Sequence, residues 1–324
     1  MDSCRHQEGE VDELNVPWTE SPFFGSLLEK SPYDQATREQ IRSFSEKGYL
    51  LIRPRVENFD QLAEEIIGNL AEEQRLRGSR VQDAWRFEPR VKSLACHPEV
   101  LNWLKVLYGR APIPFQTLNF CKGTEQATHS DLIHFSSVPA RFMAGVWYAL
   151  EDVDETNGPL HYYPGSHRLP VFDLHDLGLS KSTLKNRDGQ YKKYEAFVEA
   201  LMKQSPFKRE ALHIKKGECL IWSANLFHGG NPILDKSRSR HSLVTHYYFD
   251  RCRYYQPLYS DVFLGDIAWK DIIDLQTGKR VPHSYNDKRV SLPLKIKGRY
   301  FIENLLRNNT LGRTLFEALK KIRS

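Results

Sequence analysis

Apolar spacing changes several times along the chain, and each change marks an element. In residues 1–33 the apolar residues Val16, Trp18, Phe23, Phe24, Leu27 and Leu28 cluster without a long period, which predicts an arm laid against a domain. From Asp34 the spacing becomes helical, with Ile41 and Phe44 on one side of a charged segment that stops at Gly48, where a C-cap glycine is expected. Tyr49 to Ile52 reads as a short strand. A second helix, opening near Asn58 or Asp60, sets Leu62, Ile66 and Leu70 on one face and leaves Glu64, Glu65, Glu72 and Glu73 to solvent. A third runs from about Pro98 to Leu107 and leads into a core strand from Ile113 to Lys122.

Beyond that point helical spacing gives way to short apolar runs separated by Gly, Pro and Asn. Strands are expected around Trp147, at Leu212 to Ile214, at Glu218 to Trp222 and at Ser242 to Phe249. A segment rich in Lys, Asp and Ser, about residues 170–210, interrupts them and reads as an insertion near a cavity mouth, with a helical piece around Tyr194 to Met202. Helices followed by many short strands predict a mainly β chain with flanking helices (α+β), folded as a double-stranded β-helix, the cupin-like jelly roll. The domain is expected over 34–250. A C-terminal extension over 251–324 is expected to wrap an irregular layer onto the barrel and to end in a basic amphipathic helix. Packing on the domain is the favoured reading of that helix, and peripheral contact with an anionic membrane the other.

Composition narrows the class. A chain of 324 residues can bury a sizeable core, and a formal net charge of +5 without a concentrated basic patch gives no support to nucleic acid as a partner. The five cysteines are scattered and never in a Cys-x-x-Cys spacing, which disfavours both a disulfide framework and a thiolate zinc site. With no signal-peptide pattern and no run of about 18 apolar residues, a soluble cytoplasmic protein is expected.

The chemistry starts at His129 and Asp131. On extended backbone, residues i and i+2 point to one side, so an imidazole and a carboxylate can meet one ion; a surface hydrogen-bonded pair is the common alternative. His228 supplies the third group a metal would need. It follows a strand and sits in Phe227-His228-Gly229-Gly230-Asn231-Pro232, where glycines let backbone pass close to a bound ion. Two His and one carboxylate on one face of an octahedral ion leave three positions open, the arrangement of a non-haem Fe(II) oxygenase. Its usual co-substrate, 2-oxoglutarate, needs a counter-charge for its far carboxylate, and Arg238 and Arg240 are both candidates. Arg240 leads directly into the strand, whereas Arg238 lies in the turn.

Taken in order, HSD, the Trp of AGVWYALEDV, NGPLHYYPGSH, FHGGNP and an Arg before HSLVTHYYF resemble the phytanoyl-CoA dioxygenase family of Fe(II)/2-oxoglutarate oxygenases, which includes ectoine hydroxylase. The resemblance spans about Gln40 to Phe249. It implies that His129, Asp131 and His228 hold iron, that Arg240 pairs with the distal carboxylate of 2-oxoglutarate, that Trp147 lines the same co-substrate, and that Gln116 faces the site. Two features depart from the family pattern. The His228-to-Arg240 spacing is one residue longer than expected, and Gly230 stands where a small hydroxyl residue often assists. Halogenating relatives lack the carboxylate ligand, so Asp131 argues for hydroxylation.

The expected activity is therefore C–H hydroxylation of a small-molecule biosynthetic metabolite, with Fe(II), 2-oxoglutarate and O2. Desaturation, cyclisation or epimerisation with the same cofactors is one alternative, and a non-catalytic jelly-roll binding protein is another. Lys181, Lys185, Arg187, Lys192 and Lys193 in the insertion favour an anionic substrate, and a solvated charged loop explains them equally well. Of the remaining histidines, His134 is placed at the cavity mouth, His161 and His167 in a structural turn, and His246 in the core. Trp85 and Arg86 read as a stacked surface pair, and Asn157-Gly158 as a turn without chemistry.

Overall fold

The computed structural model describes residues 14–291, apart from 184 and 286–287. The arm is more deeply built in than its pattern suggested. It forms a 3-10 turn, Trp18–Glu20, and a short helix α1 (Phe24–Lys30). Trp18 Nε1 donates to the Val106 carbonyl and Thr19 Oγ1 to that of Leu107, while the buried Glu20 carboxylate accepts from Arg141 Nη1 at 2.6 Å and from Ser223 Oγ at 3.0 Å.

Helix α2 (Gln35–Lys47) begins where Asp34 accepts from the Thr37 amide and ends at Gly48, whose φ of +81° is the left-handed conformation a C-cap glycine allows. β1 (Tyr49–Ile52), α3 (Phe59–Arg77) and β2 (Arg80–Gln82) follow. Two helices then stand where one was expected, α4 (Pro89–Ala95) and α5 (Pro98–Tyr108). The signal for α4 was present in Glu88-Pro89: the glutamate caps by accepting from the Arg90 amide, and proline occupies the first helical position.

Strands β3 (Pro112–Phe120), β4 (Ser136–Val138), β5 (Met143–Ala149) and β6 (Leu160–Tyr162) precede helix α6 (Arg187–Gln204), which is longer than the helical piece expected in the insertion. After it come β7 (Glu210–Ala211), β8 (Cys219–Ser223), β9 (His228–Gly230), β10 (Ser242–Phe249) and β11 (Arg253–Tyr255). A hairpin of β12 (His283–Tyr285) and β13 (Lys288–Val290) closes the described chain. The strand expected at Leu212 to Ile214 lies slightly earlier, with Ile214 retained only in a bridge to Val153. The amphipathic helix expected near the C-terminus lies outside the described residues.

The architecture is the expected jelly roll. A six-stranded antiparallel sheet, in the order β1-β8-β5-β10-β3-β2, faces a smaller sheet in the order β7-β6-β9. Strands β5, β8 and β10 are buried along their whole length, and their side chains alternate between two environments. Val146, Tyr148, Ile221, Leu243 and Tyr247 join the core beneath α2 to α5. Trp147, Leu220, Trp222 and Val244 turn the other way, toward the small sheet. That inner space holds the chemistry.

Residues 251–291 form more than a loose covering. Cys252, Tyr254, Leu258, Ile272 and Leu275 are buried, β11 pairs with β4, and Leu275 N donates to the Pro114 carbonyl. Helix α6 sets Tyr194, Val198 and Met202 into a cluster with Ile133, Phe227 and Leu258, so the insertion and the extension meet beside the His129–Asp131 motif. Among the described residues no helix is long and apolar enough to cross a membrane.

Candidate metal centre

His129 reaches the inner space through a two-way backbone bridge. Its amide donates to the His228 carbonyl at 2.9 Å and its carbonyl accepts from the His228 amide at 3.0 Å, which locks the motif onto β9. Ser130 is extended, and Asp131 opens a 3-10 turn, Asp131–Ile133. The pair is thus presented by a bridge and a turn, not by a regular strand; the extended Ser130 keeps both side chains on one side. Ligand atoms of His129, Asp131 and His228 all lie within 4.8 Å of one another. His129 Nε2 is 3.6 Å from Asp131 Oδ1, and His228 Nε2 is 4.0 Å from Asp131 Oδ2.

Both imidazoles are oriented the same way. Nδ1 of His129 donates to the Ala127 carbonyl at 3.0 Å, and Nδ1 of His228 to the Leu226 carbonyl at 2.9 Å. Fixing the proton on Nδ1 leaves each Nε2 with a lone pair directed at the space between the three side chains. Trp222 Nε1 donates to Asp131 Oδ2 at 2.9 Å and holds the carboxylate. The indole can do so because it lies across Gly145 of the neighbouring strand: a Cβ there would fall 2.0 Å from Trp222 Cζ2.

Burial pushes the Asp131 carboxyl up, but the charges of His228, His129 and His246 and the hydrogen bond to His129 outweigh it and hold the group well below the usual carboxylate range. Burial also opposes protonation of His129, where the Asp131 carboxylate outweighs it and raises the imidazole; His228 is lowered, chiefly by burial. Among the described residues Asp131 has no Lys or Arg partner. A buried carboxylate facing two Nε2 lone pairs and no fixed cation is a donor set that fits a divalent ion.

All six site residues expected from the sequence line one cavity of about 340 Å³. Arg240 is 1% exposed, and its Nη1 donates to the Gly158 carbonyl at 2.9 Å. Its Nε is buried without a partner, its Cζ lies 5.6 Å from the Trp147 ring centroid, and burial pushes its pKa down to about 10. Arg238 is otherwise engaged, with Nη1 2.6 Å from both Asp154 Oδ2 and Thr156 Oγ1. An unmatched buried guanidinium in the triad's own cavity fits a ligand carboxylate. The turn Asn157-Gly158 thereby acquires a part in the site, since its carbonyl steers Arg240. Gly230 also finds its reason: a Cβ there would meet the Glu125 and Gln126 amides at 2.9 and 3.0 Å, so the strap over 124–126 leaves no room for a hydroxyl side chain.

Two residues of the site escaped the sequence reading, and one was misplaced. Trp222 was read only as the end of a strand, although its alternation with Leu220 on β8 already put it on the inner face. His246 is buried, but it is not a self-contained core histidine: Nδ1 donates to Gln116 Oε1 at 3.0 Å and Nε2 lies 3.9 Å from Asp131 Oδ2. Burial pushes its pKa down to about 4. Lys270, from the extension, lines the cavity and was not anticipated at all. His134 lines the mouth as expected, pushed down to about 3 mainly by burial and then by His129. His161 hydrogen-bonds Thr128 Oγ1 and His167 the Ser45 carbonyl, both structural roles. Arg86 stacks on Trp85. Of the five basic residues singled out in the insertion, the cavity takes only Arg187.

Known proteins give the same picture. The chain is 25% identical over 249 residues to the phytanoyl-CoA dioxygenase domain-containing protein 1 homolog of Dictyostelium discoideum, covering 73% of this chain and 78% of the relative. EctD from S. alaskensis, solved with 2-oxoglutarate and 5-hydroxyectoine, superposes with a TM-score of 0.54 at 18% identity, covering 80% of this chain and 89% of that one. SnoK, a non-heme alpha ketoglutarate dependent carbocyclase from nogalamycin biosynthesis, superposes with a TM-score of 0.54 at 18% identity, covering 76% and 95%. At such identities the two structures speak for the fold. Residues 44–242, more than half of the chain, match the phytanoyl-CoA dioxygenase (PhyH) family model, and the chain belongs to that family of iron(II)- and 2-oxoglutarate-dependent oxygenases.

Proposed function

We propose that this enzyme hydroxylates an unactivated C–H bond of a small biosynthetic metabolite, with His129, Asp131 and His228 holding Fe(II) and Arg240 gripping the distal carboxylate of 2-oxoglutarate. The observation that carries the reading is Arg240: a buried guanidinium without a carboxylate partner, in the same cavity as a buried carboxylate without a cation. Each deficit is met by one of the two cofactors. When bound, iron(II) with 2-oxoglutarate and O2 supplies the oxidising power, converting 2-oxoglutarate to succinate and CO2 as substrate C–H becomes C–OH.

The rest of the task falls to the chain's own side chains. The Ala127 and Leu226 carbonyls keep the imidazole protons on Nδ1, and Trp222 keeps Asp131 turned inward. One carboxylate and two neutral imidazoles leave a divalent ion with residual positive charge, which favours an anionic co-substrate. Trp147 offers a wall and an unpartnered indole N–H beside Arg240, and Gln116 fixes His246. The apolar cluster under α6 keeps water from the motif's outer side.

The cavity volume lies near the lower end of the range of about 300–1,000 Å³ for ligand pockets, and co-substrate and substrate must share it. That supports a small substrate. Asp131 favours hydroxylation over halogenation. The solved structures of SnoK, a carbocyclase, and EctD, crystallised with 5-hydroxyectoine, belong to proteins whose oxidative outcomes differ on a shared fold. The outcome here rests on which substrate hydrogen the cavity presents.

Adding Fe(II) and 2-oxoglutarate together under anaerobic conditions should develop a weak visible absorption band in wild-type protein and none in Asp131→Ala. Succinate release with O2, screened across metabolite classes, should then identify the substrate by its stimulation of turnover. Protein that shows no band and releases no succinate would return the fold to the non-catalytic binding reading.

A further inference from the structure

Among the described residues that line the cavity, Lys270 is the one cation that lies outside the family-matching region, 44–242, and that neither cofactor needs. Its position is fixed by backbone. The Lys270 amide donates to the Tyr254 carbonyl at 2.8 Å, and His283 Nε2 donates to the Lys270 carbonyl at 2.7 Å. Tyr254 is itself buried, its ring centroid 4.5 Å from that of Tyr248 on β10. The ammonium Nζ lies 4.7 Å from the Phe135 ring centroid and 6.0 Å from that of Phe115. Among the described residues no carboxylate forms an ion pair with it. Burial pushes the Lys270 pKa down to about 8, opposed only by Asp83.

Its aromatic floor continues to the metal centre. The Phe135 ring centroid is 4.8 Å from that of His246, whose Nε2 faces Asp131 at 3.9 Å. Two rings in succession, Phe135 and His246, therefore connect the ammonium to the triad. Arg187, at the start of α6, also lines the cavity, and its charge and that of Lys270 both bear on His134. Among the described residues Asp131 is the only acidic one lining the cavity, and the metal would occupy it. An ammonium with no counter-ion, set over aromatic faces, recovers only part of the hydration it loses, and a ligand of opposite charge supplies the rest.

We propose that Lys270, assisted by Arg187, is the anion-binding end of the substrate site, so that the substrate is a small molecule carrying a carboxylate or phosphate group close to the C–H bond that reacts. This rests on the preceding reading of the cavity as an oxygenase site. The basic balance of the insertion pointed toward an anionic ligand for a different reason. Within that set only Arg187 faces the cavity, and the decisive cation comes from the C-terminal extension.

The test uses the full chain without metal, titrated by calorimetry with pentanoate, pentyl phosphate and the neutral pentanamide. Wild type is expected to bind at least one of the anions about tenfold more tightly than the amide, a preference of the size one partly desolvated charge contact gives. The tighter anion identifies the end group. Lys270→Met should abolish the preference and Lys270→Arg should restore it, with thermal melts showing that each variant is folded; Lys270→Gln substitutes if the methionine variant is not. A wild type with no preference overturns the proposal, as does a preference that survives Lys270→Met. So does a preference lost in Arg240→Met but not in Lys270→Met, because the anion would then sit in the co-substrate pocket. The iron and 2-oxoglutarate reading is judged separately by the visible band of the wild type, so either can fail alone.

Discussion

The inner end of the cavity and its mouth are built by opposite rules. At the inner end the triad side chains and Arg240 are each held by a second group: the histidines by carbonyls two residues back, Asp131 by Trp222, Arg240 by Gly158. At the mouth, Lys270 is fixed only by backbone and Arg187 is exposed, with no ion-pair partner for either among the described residues. Rigid support suits chemistry that tolerates little misplacement, whereas unpaired charges at an opening suit recognition. The first region lies within the family-matching part of the chain; the second joins Arg187, from the insertion inside that part, to Lys270 from the extension beyond it.

If the division is right, damage to the inner end should be the most severe. Asp131→Ala should remove Fe(II) binding and lower succinate release at least 100-fold, beyond the roughly 10- to 100-fold that loss of a supporting contact costs; metal content and turnover give the answer. Arg240→Met should raise KM for 2-oxoglutarate by at least about 30-fold, since truncating one partner of a buried charge pair costs about 2–5 kcal/mol. Its neighbour is the control. Arg238→Gln breaks solvent-screened contacts with Asp154 and Thr156, so the melting temperature should stay close to wild type with KM unchanged.

Trp222→Phe keeps the ring over Gly145 and removes only the N–H on Asp131, and should weaken Fe(II) binding by roughly 10- to 100-fold at near-native stability. An effect below threefold would show that the carboxylate needs no such support. The smallest effect belongs to the mouth. Lys270 carries charge below about pH 8 and loses it above, so carboxylate affinity should fall about tenfold between pH 7 and pH 9. Titration of the neighbouring imidazoles does not mimic this, because burial keeps His134 and His246 neutral across that range.

Legibility in the sequence followed a different boundary, between residues marked by local spacing and residues placed by strand register or by the path of the chain. His129 and Asp131 sit within three residues of each other, His228 lies in a glycine-marked turn, and Arg240 enters a strand, so local spacing was enough to nominate them. The jelly roll was legible from its short apolar runs. Trp222 and His246 needed strand register: nothing local says that the indole crosses Gly145 or that His246 opposes Gln116. Lys270 needed the path of the extension around the barrel, which carries no repeating pattern. Between Arg238 and Arg240 the sequence favoured the residue that enters the strand, and the structure adds that Asp154 already holds Arg238.

The contact of Trp222 with Gly145 reaches beyond the finished site. Pairing β5 and β8 one residue out of step would set Ala144 or Val146 beneath the indole, and either side chain would collide with a ring that leaves no space even for a Cβ. The indole would be lifted off Asp131. One glycine thus ties the register of two core strands to the aim of a single carboxylate, so that correct zippering of the barrel and correct geometry of the site are the same event.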